Sequence, residues 1–226
     1  MKLLIFDCDG TLVDSQHMII AAMDEAFALA GLPAPAHAAV RSVIGLSLEG
    51  AVARLLAPDE RCRAGAISED YKAAFRDLRQ ADTHREPLFP GVHEAIHGLA
   101  RRHDVRLAIA TGKSRRGVDA VLQREGLASL FTSIQTADEH PSKPDPSMIL
   151  RAMLETGAQA ADTFMIGDTT FDMQMALAAG ARAVGVGWGY HPAENLEEAG
   201  AHHIISSSED LGIALTRLLA SPAVAS

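Results

Sequence analysis

Short apolar segments and amphipathic segments alternate along most of the chain. The first apolar segment, residues 3–6, contains no polar residue before Asp7, which indicates a strand buried on both faces, as in a parallel sheet. Five later segments share this pattern, and we predict strands at residues 105–111, 131–136, 163–168, 181–187 and 202–206. The intervening segments have helical periodicity, and we predict helices at residues 92–101, 114–125, 146–156, 171–179 and 208–219. Strands that alternate with helices predict an α/β fold with a doubly wound, Rossmann-like parallel sheet.

Residues 16–83 interrupt this alternation. Apolar residues recur there at intervals of three and four, and the segment contains no convincing strand. Pro87, Pro90 and Gly91 then mark the return to the α/β pattern. We therefore predict a core domain of residues 1–15 and 84–226 and a small all-helical domain of residues 16–83, inserted after the first strand. The two domains would be joined near residues 14–15 and 84–90.

Charge and composition narrow the classes of partner. The chain has 20 Lys and Arg residues against 29 Asp and Glu residues, a net charge of −9, which disfavours binding to nucleic acid. Cys8 and Cys62 are the two cysteines, too few for a disulfide framework. No apolar segment is long enough for a signal peptide or a membrane span. We expect a cytoplasmic protein without a nucleic-acid or membrane partner, present as a monomer or a weak homodimer.

Polar residues that could take part in catalysis or ligand binding follow four of the predicted strands. Ligands of doubly wound sheets bind at the carboxyl ends of the strands, so these residues are expected to lie close together. They are Asp7, Asp9, Thr111, Gly112, Lys143, Asp168 and Asp172. Clustered carboxylates repel one another unless a cation is present, and Mg²⁺ prefers such oxygen ligands. The Lys and Thr side chains among them are suitable donors to phosphate oxygens, so the pattern favours a Mg²⁺-dependent reaction of a phosphate compound.

Asp7 and Asp9 suit two complementary chemical roles. A carboxylate beside a metal-bound phosphate can attack phosphorus, and a second acid two residues later faces the same side of an extended strand. Asp9 could then protonate the leaving oxygen and later activate water. Gly10 permits a tight turn, and the Thr11 hydroxyl is placed to orient Asp9. Cys8 points the other way and is interpreted as a core residue.

Each of these residues also has a simpler explanation. A single carboxylate at a strand end is most often a solvated turn residue. Asp172, in the first turn of a predicted helix, would also interact favourably with the helix dipole. The interpretation as an active site therefore depends on the residues acting together.

Taken in order, four short motifs resemble those of the haloacid dehalogenase superfamily of phosphohydrolases. They are DCDGT at residues 7–11, TG at residues 111–112, Lys143 within SKPDP, and GDTTFD at residues 167–172. The resemblance implies that Asp7 is the nucleophile and a Mg²⁺ ligand, and that Asp9 is the general acid and base with its carbonyl oxygen on the metal. It implies that Asp168 is a further metal ligand.

The same resemblance implies roles for the remaining motif residues. Thr111, Gly112 and Lys143 would bind phosphate, and Asp172 would support the metal site or orient Lys143. The helical insert would be the mobile cap of the family, which excludes water during phosphoryl transfer and admits it afterwards.

The subgroup is indicated by the insert and by the segment after it. VRSVIGLSLEGAV at residues 40–52 and LFPGV at residues 88–92 resemble the phosphoglycolate phosphatase-like hydrolases. Arg41 and Gly45 are therefore candidate contacts to a small phosphorylated metabolite, although an Arg in a helical segment often lies on a solvated face.

Two alternatives to a phosphatase remain open. A β-phosphoglucomutase-type phosphotransferase has both acids and a helical cap. A receiver-like signalling module also carries a phosphorylated Asp on a doubly wound sheet, but it needs neither the second acid nor the insert.

Overall fold

The computed structural model describes residues 1–81 and 86–220, and its centre is one six-stranded sheet. The strands are β1 (Lys2–Phe6), β2 (Val105–Thr111), β3 (Phe131–Thr136), β4 (Thr163–Gly167), β5 (Arg182–Val186) and β6 (His203–Ile205). All neighbouring strands are parallel and their order is β3-β2-β1-β4-β5-β6. The predicted doubly wound α/β fold is confirmed, and the strand order reverses beside β1, where such sheets bind ligands.

Ten helices accompany the sheet in the described part of the chain. They are α1 (Gln16–Leu29), α2 (His37–Val43), α3 (Leu48–Leu55), α4 (Ala64–Gln80), α5 (Val92–Ala100), α6 (Arg115–Arg124), α7 (Ser147–Thr156), α8 (Thr170–Ala178), α9 (Ala193–Glu198) and α10 (Leu211–Ala220). The sequence analysis predicts α5, α6, α7, α8 and α10 to within a few residues and omits α9. This six-residue helix has one buried residue, Leu196, too few to produce a detectable apolar period.

The central strand β1 is covered on both faces, as its continuous apolar sequence predicts. Leu4 and Phe6 pack in the cluster that includes residues of α5, α6 and α10, whereas Leu3 and Ile5 pack against residues of α7 and α8. Successive side chains of a strand point to opposite faces, so each face receives alternate residues. Full burial of an aliphatic side chain contributes about 1.5–3 kcal/mol, so the side chains on both faces of β1 stabilise the fold.

The first four helices, α1–α4, precede the return of the chain to the sheet. With a 3₁₀ segment at Pro58–Arg63 they account for the regular structure of residues 16–81, which contain no strand. They enclose a hydrophobic cluster of their own, formed by Ile19, Met23, Ala26, Phe27, Val40, Ile44, Val52, Leu56, Ala64 and Ile67. The predicted boundary between residues 83 and 84 lies outside the described residues, and the division into two domains stays a prediction.

The two connections between the helical insert and the sheet lie side by side. The Asp14 amide donates to the Pro87 carbonyl at 2.9 Å, and the Phe89 amide donates to the Leu12 carbonyl at 2.9 Å. The insert therefore leaves and rejoins the core at one place, next to the carboxyl end of β1.

Within the described ranges, 1–81 and 86–220, no helix combines the length and apolarity that crossing a bilayer would demand.

Candidate active site

Asp7 is the first residue after β1 and is completely buried. Its amide donates to the Ile166 carbonyl at 2.9 Å, which continues the pairing with β4 and fixes the backbone at this point. Its Oδ1 accepts a hydrogen bond from the Cys8 amide at 2.7 Å, and Lys143 Nζ lies 3.0 Å from Oδ2 as an ion pair without hydrogen-bond geometry. Among the described residues, Asp7 Oδ2 has no hydrogen-bond donor. Burial raises the pKa of Asp7, and the opposing charge of Lys143 does not cancel the effect.

Lys143 links Asp7 to Asp172. Its Nζ donates a hydrogen bond to Asp172 Oδ1 at 2.6 Å. Asp172 Oδ2 accepts hydrogen bonds from the Thr169 amide at 3.1 Å and from the Thr169 hydroxyl at 2.7 Å. Thr169 and Asp172 form the capping box that begins α8, so the helix terminus holds the carboxylate in place. Burial would lower the pKa of Lys143, but Asp172 and Asp7 raise it, and the side chain stays charged. The contact is the one predicted for an Asp172 that orients Lys143.

Asp168 follows β4 and faces the end of β1. Its Oδ1 accepts a hydrogen bond from the Thr11 hydroxyl at 3.0 Å, and its Oδ2 accepts the Tyr190 amide at 2.9 Å. Burial, followed by the charges of Asp7 and Asp172, raises the pKa of Asp168 well above its usual value. The ionised form of Asp168 is therefore disfavoured, first by burial and then by the two neighbouring carboxylates.

The prediction that Thr11 orients Asp9 is wrong, because Thr11 hydrogen-bonds to Asp168 instead. The cause is the turn at Gly10, whose φ is +83°, a conformation that favours glycine. A Cβ atom on Gly10 would also lie 2.2 Å from Asp168 Oδ2. The turn thus brings the backbone against the Asp168 carboxylate and directs the next side chain to it.

Three carboxylates of this site could hold a metal ion. One oxygen each of Asp7, Asp168 and Asp172 lie within 4.8 Å of one another, and all three residues are buried. Asp172 is already paired with the Lys143 cation and accepts two hydrogen bonds from Thr169. Asp7 Oδ2 lacks a donor, and each oxygen of Asp168 accepts one hydrogen bond from a neutral group. Hard oxygen donors with surplus negative charge fit a divalent cation such as Mg²⁺. The arrangement favours Asp7 and Asp168 as its ligands.

Asp9 lies at the entrance of the site and is 9% exposed. Its Oδ1 accepts two hydrogen bonds, from the Ser15 hydroxyl at 2.6 Å and from Lys113 Nζ at 2.7 Å. The Tyr190 hydroxyl in turn accepts the Ser15 amide at 3.1 Å. The sequence analysis gives Ser15, Lys113 and Tyr190 no role in the reaction. Of the three, only Lys113 could have been recognised from the sequence, because it directly follows the TG motif.

Gly112 lies directly beneath the helical insert. A Cβ atom on Gly112 would be 2.3 Å from the Leu46 carbonyl oxygen and 2.7 Å from that of Gly45. The Ser47 amide donates to the Ser142 hydroxyl at 2.8 Å nearby. The loop between α2 and α3 therefore rests on the loop that follows β2, and the absence of a side chain at Gly112 permits this contact.

A cavity of about 810 Å³ lies between the insert and the carboxyl end of the sheet. Asp7, Asp9, Thr111 and Gly112 line it from the sheet side, and Gly45 lines it from the insert. Arg41 is not among the described residues that line this cavity, whereas five other basic residues are: Lys72, Arg76, Arg79, Lys113 and Arg116. The structure thus brings most of the predicted site residues to one cavity or directly behind it, and leaves Arg41 outside.

Replacing Gly112 by Ala is expected to lower kcat/KM by about 10- to 100-fold, because the new methyl group would displace the loop at Gly45 and Leu46 by about an ångström. The amide at residue 112 is retained, so the change isolates the packing of the loop. The measurement is steady-state phosphate release. Gly98→Ala, in α5, is the matched control, because a Cβ atom there would meet only Arg101 Nη2, at an ordinary contact distance of 3.9 Å. Unchanged kinetics in Gly112→Ala would show that the loop contact has no role in turnover.

Comparisons with known proteins identify the family of this chain. The sequence profile described as haloacid dehalogenase-like hydrolase matches residues 4–186. The chain is 42% identical over 228 residues, 97% of both chains, to a protein of Dickeya dadantii named probable phosphatase IndB. It is 33% identical to a phosphoglycolate phosphatase of Pseudomonas putida, over 84% of this chain and 71% of the relative.

A solved structure shares the fold of this chain. The crystal structure of a hydrolase from Pseudomonas syringae superposes with a TM-score of 0.83 and 28% identity, covering 96% of this chain and 99% of the other. The matched profile spans all four motifs, together with β4 and the last three residues of β1. This chain therefore belongs to the haloacid dehalogenase-like hydrolase family, as its motifs predict.

Proposed function

We propose that this protein is a Mg²⁺-dependent phosphatase that hydrolyses a phosphate monoester of a small metabolite through an aspartyl-phosphate on Asp7. The observation that carries the proposal is Asp7 Oδ2, a buried carboxylate oxygen without a hydrogen-bond donor, 3.0 Å from Lys143 and beside the Asp168 carboxylate. A desolvated oxygen with a free lone pair is suited to nucleophilic attack. The neighbouring cation would reduce the repulsion between this carboxylate and an anionic substrate.

In the first half-reaction, Asp7 Oδ2 attacks phosphorus and the bond from phosphorus to the leaving oxygen breaks. Asp9 transfers its proton to that oxygen, which leaves as an alcohol. The Thr111 hydroxyl, the Gly112 amide and Lys143 would hold the equatorial oxygens of the phosphoryl group. In the second half-reaction, Asp9 accepts a proton from water as the water oxygen attacks the aspartyl-phosphate, which restores Asp7 and releases phosphate.

Asp7, Asp168 and the carbonyl oxygen of Asp9 would hold Mg²⁺. When bound, this ion supplies positive charge that offsets the repulsion among the carboxylates and the phosphoryl group.

Residues 16–83 would act as the cap of this active site, and residues 1–15 and 84–226 as its core. The support is the separate hydrophobic cluster of α1–α4, together with the cavity that these helices close over Asp7 and Asp9. A closed cap would keep water from the phosphoryl group during the first half-reaction, and an open one would admit it for the second.

The proposed substrate is a small phosphorylated acid such as 2-phosphoglycolate. The name of the Pseudomonas putida relative supports this substrate, and Arg76 and Arg116 line the cavity as basic groups that could attract a second anionic group. Gly45 belongs to the cavity wall, so a substrate contact there remains consistent with the structure. The role of Arg41 as a substrate contact stays a prediction.

Cell location and assembly state belong to the same proposal. Cys62 is an exposed free thiol and Cys8 is a buried one, which suits a reducing, cytoplasmic environment. We expect a monomer or a weak homodimer, which sedimentation at several concentrations would test.

Phosphate release from a panel of phosphate compounds is the direct test of this function. The panel includes 2-phosphoglycolate, β-glucose-1-phosphate, nucleotides and pyrophosphate, each with Mg²⁺ or with EDTA. We expect release that depends on Mg²⁺ and falls to background in EDTA, because the carboxylates and the phosphate otherwise repel. Formation of glucose-6-phosphate without net release would instead support a mutase. A long-lived phosphoprotein without turnover would support a receiver-like role.

A further inference from the structure

Lys113 is an almost completely buried cation beside the proposed general acid. Its side chain is 7% exposed, and its Nζ lies 2.7 Å from Asp9 Oδ1 and 2.7 Å from Glu86 Oε1. Burial would lower the pKa of Lys113, but the two carboxylates raise it, so the side chain stays charged. A buried cation between two carboxylates holds both in fixed positions, because separating either pair would leave an uncompensated charge.

The side chain of Lys113 reaches this position across a glycine. A Cβ atom on Gly117 of α6 would lie 3.0 to 3.3 Å from three carbon atoms of the Lys113 side chain. A glycine within a helix is less favourable than alanine, because it loses more backbone entropy on folding. The helix therefore carries a destabilising residue where the stem of Lys113 crosses it.

Glu86 connects Lys113 to the helical insert. It is 1% exposed, and its second oxygen, Oε2, accepts a hydrogen bond from Arg79 Nη2 of α4 at 2.5 Å. Burial raises the pKa of Glu86, but Lys113 and Arg79 together bring it below its ordinary value. Phe75 of α4 lies between the two cations, with its ring centroid 5.2 Å from Lys113 Nζ and 5.1 Å from Arg79 Cζ. The described contacts thus form a continuous series from Asp9 to α4.

The two hydrogen bonds to Asp9 reach the same oxygen. Ser15 and Lys113 both donate to Oδ1, and no described residue donates to Oδ2. Two donors on one oxygen fix the orientation of the carboxylate, so that Oδ2 remains available to exchange a proton with substrate or water. Ser15 alone could rotate with the carboxylate, whereas Lys113 is itself held by Glu86.

We infer that Lys113 is a positioning residue for the general acid, and that Glu86, held by Arg79 of α4, keeps Lys113 in place. The orientation of Asp9 then depends on the docking of α4 against the core. This inference rests on the proposed function, since it concerns the acid of that reaction. Lys113 itself does not contact the phosphoryl group in this scheme.

The test compares leaving groups that do and do not need a proton. Lys113→Met should slow single-turnover release of the alcohol from an alkyl monoester by about 10- to 100-fold, part of the full effect of general acid catalysis. Release of p-nitrophenol from p-nitrophenyl phosphate should change less than about threefold, because this leaving group departs without a proton. KM for both esters should stay within about twofold of the unmodified protein.

Glu86→Gln and the double variant Lys113→Met, Glu86→Gln test the role of Glu86. Glu86→Gln alone should slow release of the alkyl alcohol by about 3- to 10-fold, and it should add nothing in the Lys113→Met background, since Glu86 acts through Lys113. The double variant removes one charge of each sign and leaves no unpaired Glu86. It should therefore remain folded even if Lys113→Met alone does not fold. Lys2→Met, which removes a surface cation paired with Asp162, is the control.

The outcomes separate this inference from the proposed function. If the unmodified protein releases no phosphate from any ester, the proposed function fails first. If it does, equal slowing of both esters or a raised KM in Lys113→Met would show that Lys113 contacts the phosphoryl group or the substrate, and would overturn the positioning role. Additive effects of the two substitutions would overturn the role of Glu86.

Discussion

Asp7→Asn is expected to reduce Mg²⁺-dependent phosphate release by about a thousand-fold or more, because a neutral amide is a poor nucleophile and a weaker metal ligand. The substitution keeps the shape of the side chain, and the Cys8 amide can still donate to an oxygen at that position. The measurement is kcat with the best monoester at saturating Mg²⁺. Asp104→Asn, at an exposed site paired with Arg102, is the matched control and should be unaffected.

The same substitution is expected to leave the fold intact and to stabilise it in EDTA. The pKa of Asp7 is raised by burial, which means that ionised Asp7 lowers the stability of the folded state at neutral pH. An amide at residue 7 removes that unfavourable charge, while Lys143 keeps its pair with Asp172. Urea unfolding in EDTA measures the effect. Residual activity near that of the unmodified protein would exclude Asp7 as the nucleophile, and a loss of activity through unfolding would appear as a lower midpoint.

Lys143→Met is expected to lower the free energy of unfolding by about 3–5 kcal/mol in EDTA, the usual consequence of removing one partner of a buried ion pair. Lys143 is fully buried between Asp7 and Asp172, and Asp168 adds a third carboxylate nearby. Without the Lys, these charges face one another in a region of low dielectric. Added Mg²⁺ should restore part of the stability, since it supplies the missing positive charge.

Two further variants make the Lys143 prediction specific. Lys2→Met removes a cation from a surface pair and should cost at most about 1 kcal/mol. The double variant Lys143→Met, Asp172→Asn removes one carboxylate with the cation, and should regain stability without regaining phosphate release. Equal stability of Lys143→Met and the unmodified protein in EDTA would contradict the interpretation of Lys143 as the counter-ion of the site.

The sheet and the order of its elements were largely predictable because burial in this fold is locally encoded. Strand β1 is apolar at every position from Leu3 to Phe6, and the helices that cover it have apolar residues at helical intervals. Helix α9 was missed because a single buried leucine produces no period. Predicted and observed bounds coincide at half of the strand ends and differ by one residue at the others, where no change in hydrophobicity marks the last paired residue.

The partners of the acids were less predictable. Thr11 was expected to orient Asp9 because the two lie close in sequence, yet Gly10 turns it to Asp168, 157 residues away. Asp9 instead accepts hydrogen bonds from Lys113, 104 residues away, and from Ser15. Ser15 in turn contacts Tyr190, 175 residues further along the chain. Hydrogen bonds of this kind depend on a few ångströms of side-chain placement, which a pattern of residue types does not specify.

The sequence alone determined which residues could meet, since parallel strands bring their carboxyl ends to one edge and the motif residues follow those strands. Only the tertiary structure decided which of them pair, which oxygen of Asp7 is left without a donor, and that Lys113 and Glu86 connect Asp9 to α4. The physical reason is that the two properties depend on different separations along the chain. Hydrophobic periodicity is a property of neighbouring residues, whereas the pairing of buried charges depends on the distances between segments that are remote in sequence and adjacent only after folding.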